Sequence, residues 1–310
     1  MKKIKSMLSA AALLIMVLMC IPIHGDTISA AQTEQKSGLV KEDSHFCYYK
    51  KGKKVKNTWL TVKGNRYYFN ENGYAATYST QIGNYRYIFR GDGTLVRPSK
   101  VSFQNVGKYT YYVDTKGRCK IGWFTVGKRL YRADSKGRIC KNKTYEGITL
   151  TKNGYARTDT ASKLKIKVMS IVSSITKNNM TKSQKLRACW NYITNRGKFQ
   201  YFIYDFPVNK DWHRVNAWYL LNYGRGDCYG FACAFAALAR EVGYNPYVIM
   251  GRVSGTRDGA ADGLTRHGWV MIDGRYYDPE GQWAGWFPGV YGTSSYDIAH
   301  TVQRKIRYAS

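Results

Sequence analysis

Three residues of the C-terminal half, Cys228, His267 and Asp278, have the types and the order of a nucleophile, a base and an orienting acid. A thiol attacks a carbonyl carbon only as a thiolate. A neighbouring imidazole that is itself held by a carboxylate can generate that thiolate. Together the three side chains would support attack on an amide bond through a covalent acyl-enzyme. The flanking sequence indicates which elements must position them.

Cys228 is predicted to lie at the start of a buried helix. The residues before it, Tyr223 to Asp227, include two glycines and an aspartate and are typical of a turn. From Phe231 onward, apolar residues recur at spacings of three and four, which predicts a helix that stops near Gly243. In its first turn, unpaired backbone N–H groups and the helix dipole should lower the pKa of the thiol and could help to stabilise an oxyanion.

His267 and Asp278 are predicted to meet across a β-hairpin. Asp273-Gly274 is a favoured two-residue turn between two short strands, and its register pairs Ile272 with Arg275. Because side chains alternate along a strand, Asp278 becomes a diagonal neighbour of His267 on one face of the hairpin. The contact between this pair and the thiol is tertiary, so the sequence does not predict it.

Each of these residues also has an ordinary structural interpretation. A lone cysteine in an apolar helix is usually a small buried side chain, which fits Cys189 and Cys233. A metal site formed by Cys228, Cys233, His267 and Asp278 is a weaker alternative, because a C-x4-C spacing with one histidine matches no common zinc pattern. No metal or cofactor is predicted.

The chain from Thr158 to Ser310 resembles the transglutaminase-like superfamily of papain-type thiol enzymes. The resemblance rests on a cysteine at a helix start after a Gly-rich turn, a strand, His-x-Trp-Val, and Asp-Pro after a hairpin. It implies that Cys228 is the nucleophile, that His267 is the base and acid, and that Asp278 orients the imidazole. Such proteins include transglutaminases, thiol peptidases, peptide N-glycanases and inactive relatives.

The remainder of this half is predicted to be α+β, with helices first and strands afterwards. A capping box from Thr181 to Gln184 opens a helix that carries Trp190, and a short third helix carries Trp218. These two tryptophans are the candidates for the additional oxyanion donor that the resemblance implies. The segment from Ser254 to Thr265 is either a flap over the site or an ordinary surface loop.

Residues 45–157 repeat an aromatic cluster followed by a Gly-containing turn. The turn glycines are separated by 21, 20, 24, 20 and 17 residues, which predicts an all-β solenoid of stacked hairpins. Asn72-Gly73 and Asp92-Gly93 are predicted to be hairpin turns. The glycines that define the period are Gly52, Gly73, Gly93, Gly117, Gly137 and Gly154.

These repeats resemble the cell-wall-binding repeats of Gram-positive surface proteins, the choline- and glucan-binding class, most closely from Gly122 to Tyr131. Choline recognition uses boxes of Trp and Tyr around a quaternary ammonium. Here only Trp59 and Trp123 fall in the repeats, and Lys and Arg are abundant. This difference from the choline-binding pattern favours a glycan or an anionic wall polymer as the ligand. Trp59, Trp123 and Tyr131 are the candidate binding residues. Most of the other aromatic side chains should pack one hairpin on the next.

Residues 1–31 are predicted to be a secretory signal peptide and residues 32–44 a linker. The signal has a basic start and an apolar stretch too short to span a bilayer. Lipid attachment at Cys20 is a minor alternative. Of the 7 cysteines, Cys119 and Cys140 lie at similar places in neighbouring repeats and could be cross-linked.

The formal net charge is +29, from 49 Lys and Arg against 20 Asp and Glu. This excess predicts an anionic partner. For an exported chain that partner is a cell-wall polymer (peptidoglycan, teichoic acid or another anionic glycan) rather than nucleic acid, for which no motif is present. No membrane span is predicted outside the signal.

The sequence therefore favours a secreted, cell-wall-associated thiol enzyme that cleaves peptide or protein amides or transfers their acyl group to an amine. Its fold class would be an all-β hairpin-repeat solenoid followed by an α+β papain-like, transglutaminase-like domain at residues 158–310. The alternative is a catalytically inactive wall-binding or adhesion protein that uses the basic aromatic repeats.

Overall fold

The computed structural model describes residues 35–286, 290–298 and 300–308. The predicted signal peptide and residues 32–34 of the predicted linker lie outside the described residues. An array of β-hairpins is followed by a domain of helices and strands, and both predicted fold classes are confirmed. No helix in these ranges is long and apolar enough to cross a membrane.

Six antiparallel units make up the described part of the array; the first has three strands and the others have two. In chain order the strands are β1 (Gly38–Glu42), β2 (His45–Lys50), β3 (Lys53–Lys54), β4 (Thr58–Val62), β5 (Asn65–Phe69), β6 (Tyr78–Ile82), β7 (Tyr85–Phe89), β8 (Ser102–Val106), β9 (Tyr109–Val113), β10 (Gly122–Val126), β11 (Arg129–Ala133), β12 (Thr144–Tyr145) and β13 (Ile148–Thr149).

The turns predicted at Asn72-Gly73 and Asp92-Gly93 are present as chain reversals. Single antiparallel bridges, Phe69 with Ala75 and Phe89 with Leu95, close them, and each reversal connects one two-stranded hairpin to the next. The turn between β4 and β5 is at Lys63-Gly64. Asn70 stabilises the first reversal, because its side-chain oxygen accepts the N–H groups of Asn72 and Tyr74 at 3.0 Å.

The recurring glycines allow successive units to stack closely. Gly93 has a φ of +83°, and a Cβ on it would lie 2.8 Å from the Cβ of Ala75 in the preceding unit. Gly117 repeats this arrangement against Leu95, at 2.7 Å. A side chain at either position would both strain the backbone and separate the units. The period of about 20 residues in the sequence therefore reflects a contact between neighbouring units.

The predicted linker, residues 32–44, contains β1, which is a correction to the sequence interpretation. Leu39 packs on the core formed around Tyr67, and Glu42 accepts a hydrogen bond from Lys54 at 2.7 Å. These contacts add a strand to the first unit and cover its end. The six described cysteines are free, so no disulfide joins the cysteines of the neighbouring repeats.

The C-terminal half places helices against a five-stranded antiparallel sheet of order β19-β18-β17-β16-β20. A short parallel pair, β14-β15, lies apart from that sheet. The elements are α1 (Thr160–Ile175), α2 (Lys182–Ile193), β14 (Gln200–Tyr201), α3 (Trp212–Tyr223), β15 (Arg225–Gly226), α4 (Cys228–Glu241), β16 (Tyr247–Ser254), β17 (Leu264–Ile272), β18 (Arg275–Tyr277), α5 (Pro279–Ala284), β19 (Tyr291–Thr293) and β20 (His300–Arg307).

Helix α4 is the centre of this half. All but two of its residues are buried, because it packs against α1, α2, α3 and the sheet. Its start is fixed by Asp227, whose carboxylate accepts the Gly230 N–H at 3.1 Å. The predicted helix at Cys228 is confirmed, and so is the capping box between Thr181 and Gln184 at the start of α2.

The last repeat docks on the helices through a small polar cluster. Lys165 of α1 contacts Glu146 in the β12–β13 turn at 3.3 Å and Glu241 at the end of α4 at 2.7 Å. The indole N–H of Trp123 donates to Glu146 at 3.0 Å, and Arg214 donates to its backbone carbonyl. The array and the α+β half therefore share a specific junction.

Candidate active site

The predicted hairpin holds His267 against Asp278. Ile272 pairs with Arg275, and both residues of the Asp273-Gly274 turn have positive φ. The ladder then ends, and Asp278 caps the short helix α5. The two side chains meet as the register requires, with His267 Nε2 at 2.7 Å from Asp278 Oδ2.

The carboxylate of Asp278 is fully buried and fixed on both oxygens. Oδ1 accepts the Gly281 N–H at 2.9 Å, and Oδ2 also accepts the Tyr296 hydroxyl at 2.8 Å. Sequence reasoning missed Tyr296, which approaches from the segment between β19 and β20, and no local pattern points to it. With three hydrogen bonds, the carboxylate can hold the imidazole in one orientation.

A glycine beside the histidine brings helix α4 onto strand β17. A Cβ on Gly268 would lie 2.7 Å from the ring of Tyr229, so only a glycine allows this approach. Tyr229 follows Cys228 and Gly268 follows His267, so the same contact brings thiol and imidazole together. They are close enough for the imidazole to lower the pKa of the thiol. Within the described part, no hydrogen bond of good geometry reaches His267 Nδ1.

Burial changes the protonation that the sequence predicts for this pair. Cys228 is 2% exposed and His267 is 0% exposed. Burial raises the pKa of the Cys228 thiol, and the opposing effect of His267 is smaller, so the expected lowering is not found in this closed site. Burial lowers the pKa of His267, but Asp278 and Cys228 together raise it well above its usual value.

A second carboxyl group, missed in the sequence, faces the imidazole from the other side. Glu280 is 1% exposed, and its Oε2 lies 3.6 Å from His267 Nδ1. Neither of its oxygens has a hydrogen-bond partner in the described residues. Burial raises the pKa of Glu280 to about 7. Glu280 lies two residues after Asp278, in the first turn of α5, and this spacing is the sequence feature from which its place near His267 could have been predicted.

Three further side chains lie near the thiol or its imidazole: Tyr201, Arg257 and Trp286. Tyr201 of β14 lies opposite Gly226 in the parallel pair, two residues before Cys228. Its hydroxyl accepts a hydrogen bond from Arg257, which lies in the loop between β16 and β17. The guanidinium of Arg257 is 5.9 Å from the ring of Trp286, and that ring is 5.9 Å from the imidazole. The loop predicted as a flap or a surface loop thus contributes a residue over the site.

The predicted oxyanion candidates lie elsewhere in the domain. Trp190 packs edge-on against Phe235 at 5.3 Å. Phe235 is seven residues along α4 from Cys228, which is about 10 Å in a helix. Trp218 is half-buried on α3, at the margin of the core. Tyr201 and Arg257, by contrast, are close enough to Cys228 for the thiol to raise their pKa values.

The predicted wall-binding residues differ in their accessibility. Tyr131 is 7% exposed and stacked on Phe124 at 5.8 Å. Trp123 is half-buried and bonded into the junction between the two halves. Trp59 borders a surface cavity of about 290 Å³. The structure therefore leaves Trp59 as the one of these three that faces an open cavity.

Three residues of the alternative metal site, Cys228, His267 and Asp278, lie together, but not in an arrangement that could hold a metal ion. Among the described residues, no group of three or more His, Cys, Asp or Glu side chains could hold a metal ion. Cys233 is fully buried within α4, and burial raises the pKa of its thiol well above its usual value. It has the environment of a core side chain.

Comparison with protein families agrees with this architecture. Residues 169–288 match the transglutaminase-like superfamily, and residues 57–75 match a putative cell wall binding repeat. The chain thus combines a transglutaminase-like domain with a preceding repeat of the wall-binding type. The comparison with curated proteins returned no match.

Among solved structures, the hairpin array is similar to choline binding protein F from Streptococcus pneumoniae. That alignment has 27% identity, covers 40% of this chain and 41% of the other, and has a TM-score of 0.31. A structure of the same protein in the presence of a peptidoglycan analogue has 27% identity, 40% coverage of each chain and a TM-score of 0.32. The Cpl-1 endolysin complexed with a peptidoglycan analogue has 18% identity, coverage of 41% and 40%, and a TM-score of 0.29.

Proposed function

We propose that this chain is an exported, wall-associated thiol enzyme that acts on amide bonds, with Cys228 as nucleophile. The observation that carries the proposal is the buried His267–Asp278 pair, joined at 2.7 Å, beside a cysteine in the first turn of a helix. Each of the three residue types has an ordinary structural use alone. Their convergence in one dry site, on separate elements, is typical of nucleophilic catalysis.

The chemistry begins with proton transfer from the thiol to His267. The thiolate attacks the amide carbonyl carbon, and a negative charge develops on the oxygen. The imidazolium then gives its proton to the leaving nitrogen as the C–N bond breaks, which leaves a thioester on Cys228. Asp278 stabilises the imidazolium throughout. A water molecule or an amine attacks the thioester, His267 takes its proton, and the thiol is restored.

The developing oxyanion has two candidate donors. The backbone N–H of Cys228 is at the start of α4 and donates no hydrogen bond in the described part of the chain. The Tyr201 hydroxyl accepts a hydrogen bond from Arg257 and so keeps its own proton to donate. Donors fixed before the reaction lower the barrier without reorganisation. This pair replaces the tryptophans that the sequence indicated.

The wall association rests on the repeat at residues 57–75 and on charge. Residues 45–157 contain 24 Lys and Arg against 5 Asp and Glu, a net +19. A surface of this charge attracts anionic polymers at moderate salt. The predicted signal peptide at residues 1–31 would deliver the chain to such a polymer. A retention assay on isolated wall material tests this part of the proposal.

The enzymatic part is tested with two cysteine variants of the full chain. Glutamine peptides with a fluorescent amine report acyl transfer, and peptide amides including wall stem peptides report hydrolysis. Cys228→Ala should abolish either activity, whereas Cys233→Ala, in the same helix, should retain it. Tyr201→Phe should keep the fold and lower kcat about 100-fold, as expected for loss of one oxyanion donor. Full activity of Cys228→Ala would refute the proposal.

A non-enzymatic wall-binding protein is the second candidate. The low exposure of Cys228, 2%, favours it, because no substrate reaches the thiol in this closed arrangement. The buried contact between His267 and Asp278 opposes it, since an inactive scaffold does not need that pair. The absence of turnover on the full substrate panel, with wall retention intact, would select this candidate.

A further inference from the structure

The hairpin array has a positive charge that its own acids do not balance. Of its five acidic residues, three bind turn backbone: Asp92 accepts from the Thr94 N–H, Asp114 from Lys116 and Arg118, and Asp134 from Lys136 and Arg138. Glu146 belongs to the junction with the helices. Most of the array's 24 basic side chains therefore lack an acidic partner within the described structure.

Arginines of the array lie on the faces of its aromatic rings. An aromatic face covered by a guanidinium cannot also receive a quaternary ammonium, whereas the guanidinium N–H groups remain available to an anion. The distances from the guanidinium carbon to the ring centroid are 4.9 Å for Arg66 over Trp59, 4.7 Å for Arg118 over Tyr85, 4.7 Å for Arg138 over Tyr109, 4.4 Å for Arg129 over Tyr155 and 4.0 Å for Arg132 over Tyr145.

Four of the basic side chains converge on two adjoining cavities, which we call the Arg66 pocket: Arg66, Arg90, Arg97 and Lys116. The cavities measure about 470 and 290 Å³ and share Arg66 and Arg97. Among the residues that the structure describes, no carboxylate lines either cavity. In the described residues none of the four basic groups forms an ion pair.

The lining of the Arg66 pocket is specific in shape as well as charge. Its three arginines come from three places in the chain: β5, the turn after β7 and the segment before β8. Ser99 and Thr115 add hydroxyl groups. A tetrahedral oxyanion accepts donors from several directions, whereas a carboxylate accepts them in one plane. Trp59 and Tyr87 supply an apolar wall beside these donors.

We propose that the Arg66 pocket binds a phosphodiester group of a polyol-phosphate wall polymer. The inference rests on the proposed wall association and names the chemical group that is recognised. Guanidinium groups bind phosphate through paired, charge-assisted hydrogen bonds. Arg66 already occupies a face of Trp59, so that face is closed to a quaternary ammonium.

Binding of the full chain to a glycerol-phosphate polymer tests the proposal. Arg66→Gln/Arg97→Gln should weaken binding at least tenfold. The control Lys128→Gln/Lys141→Gln removes the same charge from exposed positions of the array and should weaken binding less than threefold. Arg97→Gln alone avoids the stack on Trp59 and should still weaken binding, which separates recognition from folding.

The other arms of the experiment distinguish the alternatives. If the protein binds polygalacturonate as tightly as the glycerol-phosphate polymer and loses both affinities equally in the Arg66 pocket variants, the assignment to phosphate is overturned in favour of carboxylate. Release of the protein by millimolar choline would overturn it in favour of the ammonium. If both pairs of substitutions weaken binding equally, the polymer is bound by the overall positive charge of the array, and the proposal of a specific pocket is overturned. If wild type is not retained on isolated walls, the wall association fails, whereas retention that is insensitive to the pocket variants refutes this inference alone.

Discussion

At the residue scale, the candidate site is a closed set of ionisable groups. Asp278 contacts Nε2 of the His267 imidazole and Glu280 lies near its Nδ1, while Cys228 is close enough for the imidazole to lower the pKa of its thiol. Burial raises the pKa values of Cys228 and Glu280 by penalising their charged forms, and His267 opposes both shifts. Of the groups around Cys228, His267 is the one that lowers the pKa of the thiol, so thiolate formation in this site depends on the imidazole.

Glu280 gives the first prediction, a stability that falls as pH rises. Burial raises its pKa in the folded protein to about 7 from an ordinary 4.5, with further effects from His267, Asp278, Arg257 and Asp227. Between these two values the folded state binds more protons than the unfolded state, so folding weakens with increasing pH. Glu280→Gln should remove roughly 1–3 kcal/mol of this decline.

Thermal or urea unfolding from pH 4.5 to 8 measures this effect. Glu71→Gln, at an exposed glutamate, is the matched control and should follow the wild type. An unchanged pH dependence in Glu280→Gln would show that the carboxyl is not the titrating group.

At the element scale, local sequence was sufficient to predict individual turns and helix starts, but it did not predict the tertiary contacts between elements. The Asp273-Gly274 turn and the helix start at Cys228 were predictable because each depends on a few adjacent residues. Tyr201 and Arg257 were not, because they reach the thiol through a parallel strand pair and a long loop. In the repeats, the reversal at Asn72-Gly73 was predictable from its own residues, whereas the hairpin that turns at Lys63-Gly64 was not predicted.

The loop that carries Arg257 is predicted to control access to the thiol. Arg257 donates hydrogen bonds to the Tyr201 hydroxyl and to the Arg266 carbonyl, which ties the loop over the site. Arg257→Ala should raise the rate of Cys228 alkylation about tenfold, because loops held by few contacts open readily. Arg275→Ala, an exposed change in the same sheet, should leave the rate unchanged. Equal rates in wild type and Arg257→Ala would contradict this role.

Helix α3 carries a buried histidine that should limit stability in acid. His213 is 3% exposed, and neither of its ring nitrogens has a hydrogen-bond partner in the described residues. Burial, aided by Arg214, lowers its pKa to about 4. Between that value and an unfolded pKa of about 6.5 the unfolded state binds more protons, so stability falls as pH decreases.

His213→Phe should abolish roughly 1–3 kcal/mol of this acid destabilisation. Unfolding free energies at pH 7 and pH 4.5 give the comparison, with a substitution at the exposed His45 as control. If wild type and His213→Phe lose the same free energy of unfolding between pH 7 and pH 4.5, the acid destabilisation comes from another group.

At the scale of the whole molecule, the array and the α+β half are joined through Lys165. This lysine, with 15% of its side chain exposed, lies between Glu146 of the last repeat and Glu241 of α4. The charge and the period of the repeats were evident from the sequence. The junction was not predicted, because Lys165 and its two carboxylate partners, Glu146 and Glu241, are distant in the chain.

Lys165→Met should destabilise the junction by about 1–3 kcal/mol, because it leaves two partly buried carboxylates without a counter-charge. Calorimetry should then show two separated unfolding transitions. Adding Glu241→Gln should restore part of the loss, and a double-mutant cycle isolates the pair. A single unchanged transition in Lys165→Met would show that this cluster does not couple the halves.

The pairing of Cys228 with His267 is the central claim, and the pH dependence of iodoacetamide labelling tests it most directly. Labelling would be followed site by site by mass spectrometry in wild type and in His267→Ala, with the fully buried Cys233 as internal reference. Because the imidazole lowers the pKa of the thiol, the apparent pKa of Cys228 should be higher in His267→Ala, while Cys233 stays unlabelled in both. The same Cys228 pKa in both proteins would mean that thiol and imidazole do not act as a pair.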